Sequence, residues 1–313
     1  MKKLKKLKKN ISTIGIIAPA SSNEKFIMEE NIEKFKELGY NIKLSKNLYN
    51  INKYLSSTDK ERANDLNDMF KDKNVDAIMC YRGGYGCIRM AKYLNLNLIK
   101  SNPKIFCGYS DITLLLNYIS HQCNFPTFHG PMINSDFQDK LTKDYFESIL
   151  ENKYPLIKYD ISKLTNNDYE VFHRKSFIGR LVGGNLSLIC STLSTPYEIN
   201  FNNNILLIEE VSEKPYAIDR MLSQLISSNK LKNLSGIILG KFTDCDGDKN
   251  SFSVDDLIKE KLLPLKIPII KGFPFGHDYP NITIPIGSFF KFDPCNDTLY
   301  QCQHIFIQKK SYK

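Results

Sequence analysis

Three stretches of the chain carry side chains that could together cleave an acyl bond. Ser110 stands in PKIFCGYSDITLLLNYIS (103–120), where a short apolar strand runs into a turn and then a helix from about Asp111. A hydroxyl at such a corner is raised out of the backbone, beside the unsatisfied N–H groups of the new helix. This is the pattern of a nucleophile elbow, although G-x-S-x-G is not met, because Asp111 and Ile112 follow the serine. A serine hydroxyl attacks only when a neighbouring base takes its proton, and imidazole suits that task near neutral pH. His277, between Gly276 and Asp278 just after a strand, is the candidate base. Glu209 and Glu210 close another strand and could supply the carboxylate that orients an imidazole. Each feature also has a plainer reading. Ser110 or Asp111 could cap the helix, His277 could be a solvated loop residue, and the glutamates could end an exposed strand. The turn Arg82 to Gly86 (RGGYG) could aim N–H groups at an oxyanion, shared with the N–H of Asp111, or cradle a phosphate. No G-x-x-x-x-G-K-[ST] accompanies it.

Strands alternating with helices must position these groups. Ile11 to Ala18, Tyr40 to Leu44, Val75 to Cys80 and Lys104 to Gly108 read as strands. Between them, helices are expected after Ser21 or Ser22 as cap, with Phe26, Ile32 and Phe35 inward, over Asp59 to Phe70, and over Cys87 to Leu94. This order implies an open, mostly parallel α/β sheet, whose ligands bind at the carboxyl ends of the strands. The RGGYG turn and Ser110 both fall there. A smaller C-terminal α/β domain, rich in β strands, follows. Residues 1–9 are expected to be a solvated basic tail, 10–153 the domain carrying the nucleophile, 154–178 a linker, and 179–313 the domain carrying Glu and His. Ser253 with Asp256 reads as a capping box.

Composition narrows the function. The chain has 313 residues and is 42% hydrophobic, enough for two cored domains. Its net charge of +9 is concentrated early, at Lys2, Lys3, Lys5, Lys6, Lys8 and Lys9. A Lys-tail adaptor for membrane or nucleic acid is the alternative to a solvated tail, but no nucleic-acid module and no Trp support it. No apolar run is long enough to span a bilayer. ISTIGIIAPA imitates an export signal, but Ser12, Thr13 and Gly15 interrupt it, so an opening strand and a cytoplasmic protein are expected. The eight cysteines form no CxxC pair, and neither they nor the five histidines have zinc spacing. DCDGDKNSFSVD (244–255) imitates a calcium loop but has Lys249 where the turn needs Gly.

The segments YRGGYG (81–86), NPKIFCGYSDIT (102–113), FHGPM (128–132), GGNLSL (183–188), IEEVSEKPYAIDRML (208–222), FTDCD (242–246) and PFGH (274–277) together resemble the LD-carboxypeptidase family. That family comprises Ser-Glu-His peptidases and includes the microcin C immunity peptidases. The resemblance implies Ser110 as nucleophile, His277 as general base and acid, and Glu209 as orienting carboxylate. Glu210 takes the place of the family's usual Asp and leaves the choice between the two glutamates open. It implies oxyanion N–H groups from Gly84 and Asp111. A free carboxylate on the leaving residue needs a cationic or N–H-rich subsite, for which Arg82 is the candidate, although it could equally brace the turn through a buried ion pair; Tyr85 is the other substrate-binding candidate. The implied reaction releases the terminal D-alanine of a murein tetrapeptide through an acyl-enzyme, in a homodimer, with no metal or organic cofactor. The partners expected are a small peptide, without nucleic acid or membrane. Alternatives are a peptidase cutting an aminoacyl or peptidyl nucleotide amide, and a non-catalytic anion-binding protein.

Overall fold

The computed structural model describes residues 1–308. The chain divides into two compact units. The first comprises residues 1–155, 283–287 and, among the described residues, 303–308; the second comprises 156–282 and 288–302.

In the first unit the order is β1 (Thr13–Ile17), α1 (Lys25–Lys36), β2 (Asn41–Leu44), α2 (Asp59–Lys71), β3 (Ala77–Cys80), α3 (Cys87–Met90), α4 (Leu96–Ser101), β4 (Ile105–Gly108), α5 (Thr113–Cys123), β5 (Thr127–His129) and α6 (Lys140–Leu150). The second unit continues with β6 (Lys158–Asp160), α7 (Ile161–Leu164), β7 (Glu170–Phe172), β8 (Phe177–Asn185), α8 (Leu186–Ser191), β9 (Ile205–Val211), α9 (Pro215–Ser227), β10 (Gly236–Thr243), α10 (Val254–Leu257) and β11 (Ile269–Lys271). The chain then returns to the first unit as β12 (Ile284–Ile286) and re-enters the second as β13 (Phe289–Asp293) and β14 (Thr298–Gln301).

The first sheet has the order β12-β5-β4-β3-β1-β2, parallel except at β12. Its inner strands β3, β4 and β5 are buried at every residue, as parallel strands covered on both faces must be. The second sheet has the order β6-β14-β13-β8-β9-β10-β11-β7. Its centre, β8 to β11, is parallel and its flanks are antiparallel. One face carries α8, α9 and α10, whose Leu186, Ile218, Leu222 and Leu257 pack with Leu206, Ile208 and Leu239 of the sheet. Each such buried side chain contributes about 1.5–3 kcal/mol of gross stabilisation.

The α/β reading of both parts stands, but several details differ. Residues 154–178 contain β6, α7 and β7, and both strands pair in the second sheet, so the stretch read as a linker is part of a folded unit. Its polarity reflects edge strands, which keep one side in water. The N-terminal nine residues are not a solvated tail. Leu4 and Leu7 are buried, Leu4 bridges Phe306, and Leu7 donates its N–H to the Leu150 carbonyl at 2.9 Å. Two leucines three residues apart outweigh the surrounding charge locally. The first helix starts after Glu24 with no side-chain cap, because Ser21 is engaged elsewhere, and Phe26 points outward while Met28 is buried. The capping box at Ser253 and Asp256 is present.

Candidate active site

The serine corner is made mostly of main chain. Strand β4 ends at Gly108, and Ser110 takes φ +63° before a short 3-10 turn leads into α5. A non-glycine residue in this left-handed region costs roughly 1–2 kcal/mol, which the surrounding packing must offset. Gly83 lies against it: a Cβ there would sit 2.7 Å from Ser110 Cβ and 2.8 Å from its Oγ. Only a residue without a side chain lets the two loops approach. Gly84 has φ +121° and abuts Ser21. The Ser21 hydroxyl donates to the Tyr54 carbonyl at 2.7 Å and accepts from the Tyr85 N–H at 3.4 Å, tying the loop after β1 to the glycine turn. Tyr85 is half exposed and pairs with Tyr54, ring centroids 5.8 Å apart.

Two buried charged groups hold this loop. Asp111 is almost fully buried, and its carboxylate accepts from the Cys87 N–H at 2.8 Å. Burial pushes its carboxyl above the ordinary value of 3.8. Burial likewise holds the Cys87 thiol well above its ordinary value, so this neighbour stays protonated and does not compete as a nucleophile. Arg62 is 2% exposed. It donates to the carbonyls of Gly86 at 2.9 Å and Ser57 at 3.3 Å, to that of Pro19, and to the carboxylate of Asp59. One guanidinium thus joins three loops. Arg82 is partly buried; its Nη1 lies 3.5 Å from the Ser22 carbonyl, and its Nε is buried with no hydrogen-bond partner among the described residues.

The second unit holds the glutamates and the histidine. Alternation along β9 sends Leu206, Ile208 and Glu210 to the helix-covered face and Ile205, Leu207 and Glu209 to the other. The two neighbours therefore have different fates. Glu210 is satisfied by four donors: Asn185 Nδ2, the Ser187 N–H and the Ser187 hydroxyl, each at 2.8 Å, and the Val211 N–H at 2.9 Å. It fastens the start of α8, and burial raises its carboxyl above the ordinary range. Glu209 is 0% exposed. Its Oε2 lies 2.7 Å from His277 Nδ1, while Oε1 is buried without a hydrogen-bond partner among the described residues. His277 is carried on the loop after β11. The Phe273 N–H donates to the Leu239 carbonyl at 3.1 Å, and the Lys241 N–H to the Phe275 carbonyl at 2.9 Å, which straps this loop to β10. With Nδ1–H donated to a carboxylate, a neutral imidazole carries its lone pair on Nε2 and can act as a base there. Among the described residues no group of three His, Cys, Asp or Glu side chains is arranged to hold a metal ion.

Two descriptions of known families match this chain: the LD-carboxypeptidase N-terminal domain over residues 14–130 and the LD-carboxypeptidase C-terminal domain over 178–292. The chain belongs to the LD-carboxypeptidase family. It is a peptidase of the serine carboxypeptidase type. It is 39% identical over 282 residues to a probable murein peptide carboxypeptidase of Bacillus subtilis, covering 88% of this chain and 87% of that one. It is 27% identical to the murein tetrapeptide carboxypeptidase of Pseudomonas aeruginosa, covering 88% and 91%. The solved structure of MccF in complex with glutamyl sulfamoyl guanosine shares the fold, with TM-score 0.88 and 23% identity over 97% of this chain and 99% of that one.

In this member of the family, the residues that brace the site are not among those its sequence pattern singles out. Arg62 had a visible signal: it stands at i, with Leu66, Met69 and Phe70 at i+4, i+7 and i+8, so α2 places a charge on its own buried stripe. A charge on an apolar stripe must be paired. Period-two alternation could likewise have separated Glu209 from Glu210. Gly83 gave no signal beyond its place in RGGYG, because the close approach of Ser110 is a tertiary fact.

Proposed function

We propose that this protein is an LD-carboxypeptidase that removes the terminal D-alanine from murein tetrapeptides by way of an acyl-enzyme. The observation that carries the reading is the buried Glu209 carboxylate held 2.7 Å from His277 Nδ1, since no stability argument favours leaving its second oxygen unpartnered. Ser110 Oγ attacks the carbonyl carbon of the L-configured centre, and its proton passes to His277 Nε2. Glu209 stabilises the imidazolium, and the N–H groups of Gly84 and Asp111 bind the oxyanion. The C–N bond breaks as His277 returns the proton to the amine of D-alanine. Water, deprotonated by His277, then hydrolyses the Ser110 ester. Arg82, which forms no ion pair among the described residues, receives the leaving residue's carboxylate, with Tyr85 beside it. The names of the Bacillus and Pseudomonas relatives support a murein substrate; a cytoplasmic homodimer is proposed on the family resemblance alone.

The experiment is mass spectrometry of a murein tetrapeptide with wild type and Ser110→Ala. Loss of one D-alanine by the wild type alone is expected, with turnover in the variant down about 10⁴-fold or more. Equal cleavage by both would withdraw Ser110 as nucleophile. The bound ligand of the MccF structure motivates a second reading, a peptidase acting on an aminoacyl-nucleotide amide. Cleavage of that substrate class and not of the tetrapeptide would transfer the proposal to it.

A further inference from the structure

The first nine residues present lysines on a fixed scaffold. Leu4 and Leu7 are buried, and main-chain bonds pin the segment: the Lys2 N–H donates to the Asn124 carbonyl at 2.7 Å, the Leu4 N–H to that of Ile305 at 2.8 Å and the Leu7 N–H to that of Leu150 at 2.9 Å, and the Leu4 carbonyl accepts from the Ile307 N–H at 2.9 Å. The Lys2 ammonium also donates to the Lys100 carbonyl. Lys5 pairs with Asp76, just ahead of β3, and Lys9 with Glu147 of α6. The segment therefore crosses the edge where the parallel strands of the first sheet begin. Ser110 lies at the opposite edge, where β4 ends. A strand of four or five residues separates the edges by roughly 15 Å.

Asp76 and Glu147 are already engaged, as is Asp72, which pairs with Lys43. Lys2, Lys3, Lys6, Lys8, Lys73 and Lys100 have no carboxylate partner among the described ion pairs. Exposed apolar side chains stand among these lysines. Ile11, 66% exposed, bonds through its N–H to the Lys8 carbonyl. Ile307, 62% exposed, bonds through its N–H to the Leu4 carbonyl. Tyr154, also exposed, follows Lys153, which shares Glu147 with Lys9.

We propose that this edge is a docking surface for an anionic phospholipid bilayer, with the lysines over the headgroups and Ile11, Tyr154 and Ile307 entering the interface. Polyanions of any kind attract the lysines. The aliphatic pair selects lipid, because Ile11 and Ile307 have no aromatic face on which a nucleic-acid base could stack, whereas a bilayer receives branched aliphatic chains and interfacial Tyr alike. The docked orientation leaves the Ser110 edge turned away from the bilayer. The proposal is independent of the peptidase reading, since its test uses no substrate.

The test is co-sedimentation of the full chain with vesicles of phosphatidylglycerol and phosphatidylcholine, against vesicles of phosphatidylcholine alone. Binding to the anionic vesicles only, weakening as salt rises, is expected. Each lysine near such a surface is worth about fivefold in affinity, so the triple variant K3E/K6E/K8E should bind about a hundredfold more weakly or worse. The pair I11S/I307S should weaken vesicle binding severalfold while leaving any binding to single-stranded RNA unchanged. Circular dichroism confirms that each variant is folded. Failure of the wild type to bind anionic vesicles, or equal binding by K3E/K6E/K8E, overturns the proposal. Tighter binding to RNA than to the vesicles, lost in the same triple variant, overturns the choice of lipid.

Discussion

The serine corner and the glutamate–histidine pair are built in opposite ways. At the corner, main chain does most of the positioning: a left-handed Ser110, two glycines, and buried Arg62 and Asp111, whose bonds go to backbone carbonyls and an N–H apart from the Arg62–Asp59 ion pair. In the second unit a buried strand fixes a side chain, and one side chain orients another. Backbone-built geometry tolerates changes of charge and fails on changes of shape. Side-chain geometry does the reverse.

The sharpest test of that contrast is the pair of neighbouring glutamates. Glu209→Gln keeps the shape but no longer supports an imidazolium, and kcat should fall about 10³–10⁴-fold with little change in Tm. Glu210→Ala should cost about 2–4 kcal/mol of stability by stranding the Ser187 and Asn185 donors, while kcat per folded molecule stays within about tenfold. The reverse ranking in steady-state assays would make Glu210 the catalytic carboxylate. Next comes shape at the corner. Gly83→Ala forces Ser110 aside and should lower kcat about 10²-fold, with the histidine pair untouched. Wild-type turnover would mean that the corner yields freely.

Arg62→Met should lower kcat about tenfold with a smaller change in KM, together with a loss of about 2–4 kcal/mol in denaturant unfolding. A stability loss with unaltered kinetics would reduce Arg62 to scaffolding. The smallest effect belongs to Asp111→Asn, which changes charge without shape. Burial raises the carboxyl of Asp111 above 3.8, so the folded state holds its proton to higher pH than the unfolded chain does. Between those values the folded state binds more protons, and this group's contribution to stability falls as pH rises through the window and then stays level. The Asn variant should lack that fall, with a Tm at neutral pH equal to or above wild type and kcat within a few-fold. A wild-type Tm that rises more steeply than the variant's just above pH 4 would contradict this sign.

The comparison also explains what could be read in advance. Ser110, Glu209 and His277 each come soon after an apolar run (IFC at 105–107, ILLI at 205–208, FPF at 273–275), where polar residues begin, so hydrophobic pattern locates them. The alternation of strands and helices gave the first sheet, because its buried strands are continuous apolar runs. The second unit's flanks were harder. β6 and β7 are three-residue edge strands in a polar stretch, without the apolar run by which a buried strand is recognised. The docking of Leu4 and Leu7 was masked by six lysines around them. Charge density says where solvent is welcome, and only the partner surface says what two leucines can reach.

The chain passes between its two units at residues 155, 282, 287 and 302, and β12 completes the first sheet by pairing with β5. A ribosome therefore delivers the serine corner long before the strand that closes its sheet. Neither unit is a contiguous stretch, so neither can be excised as a simple fragment. A nascent or clipped chain ending before residue 283 would carry the serine, the glutamate and the histidine and still lack part of both sheets. Proteolytic nicking near the end of the chain should therefore unsettle both units, although every residue proposed for the chemistry would remain on the fragment.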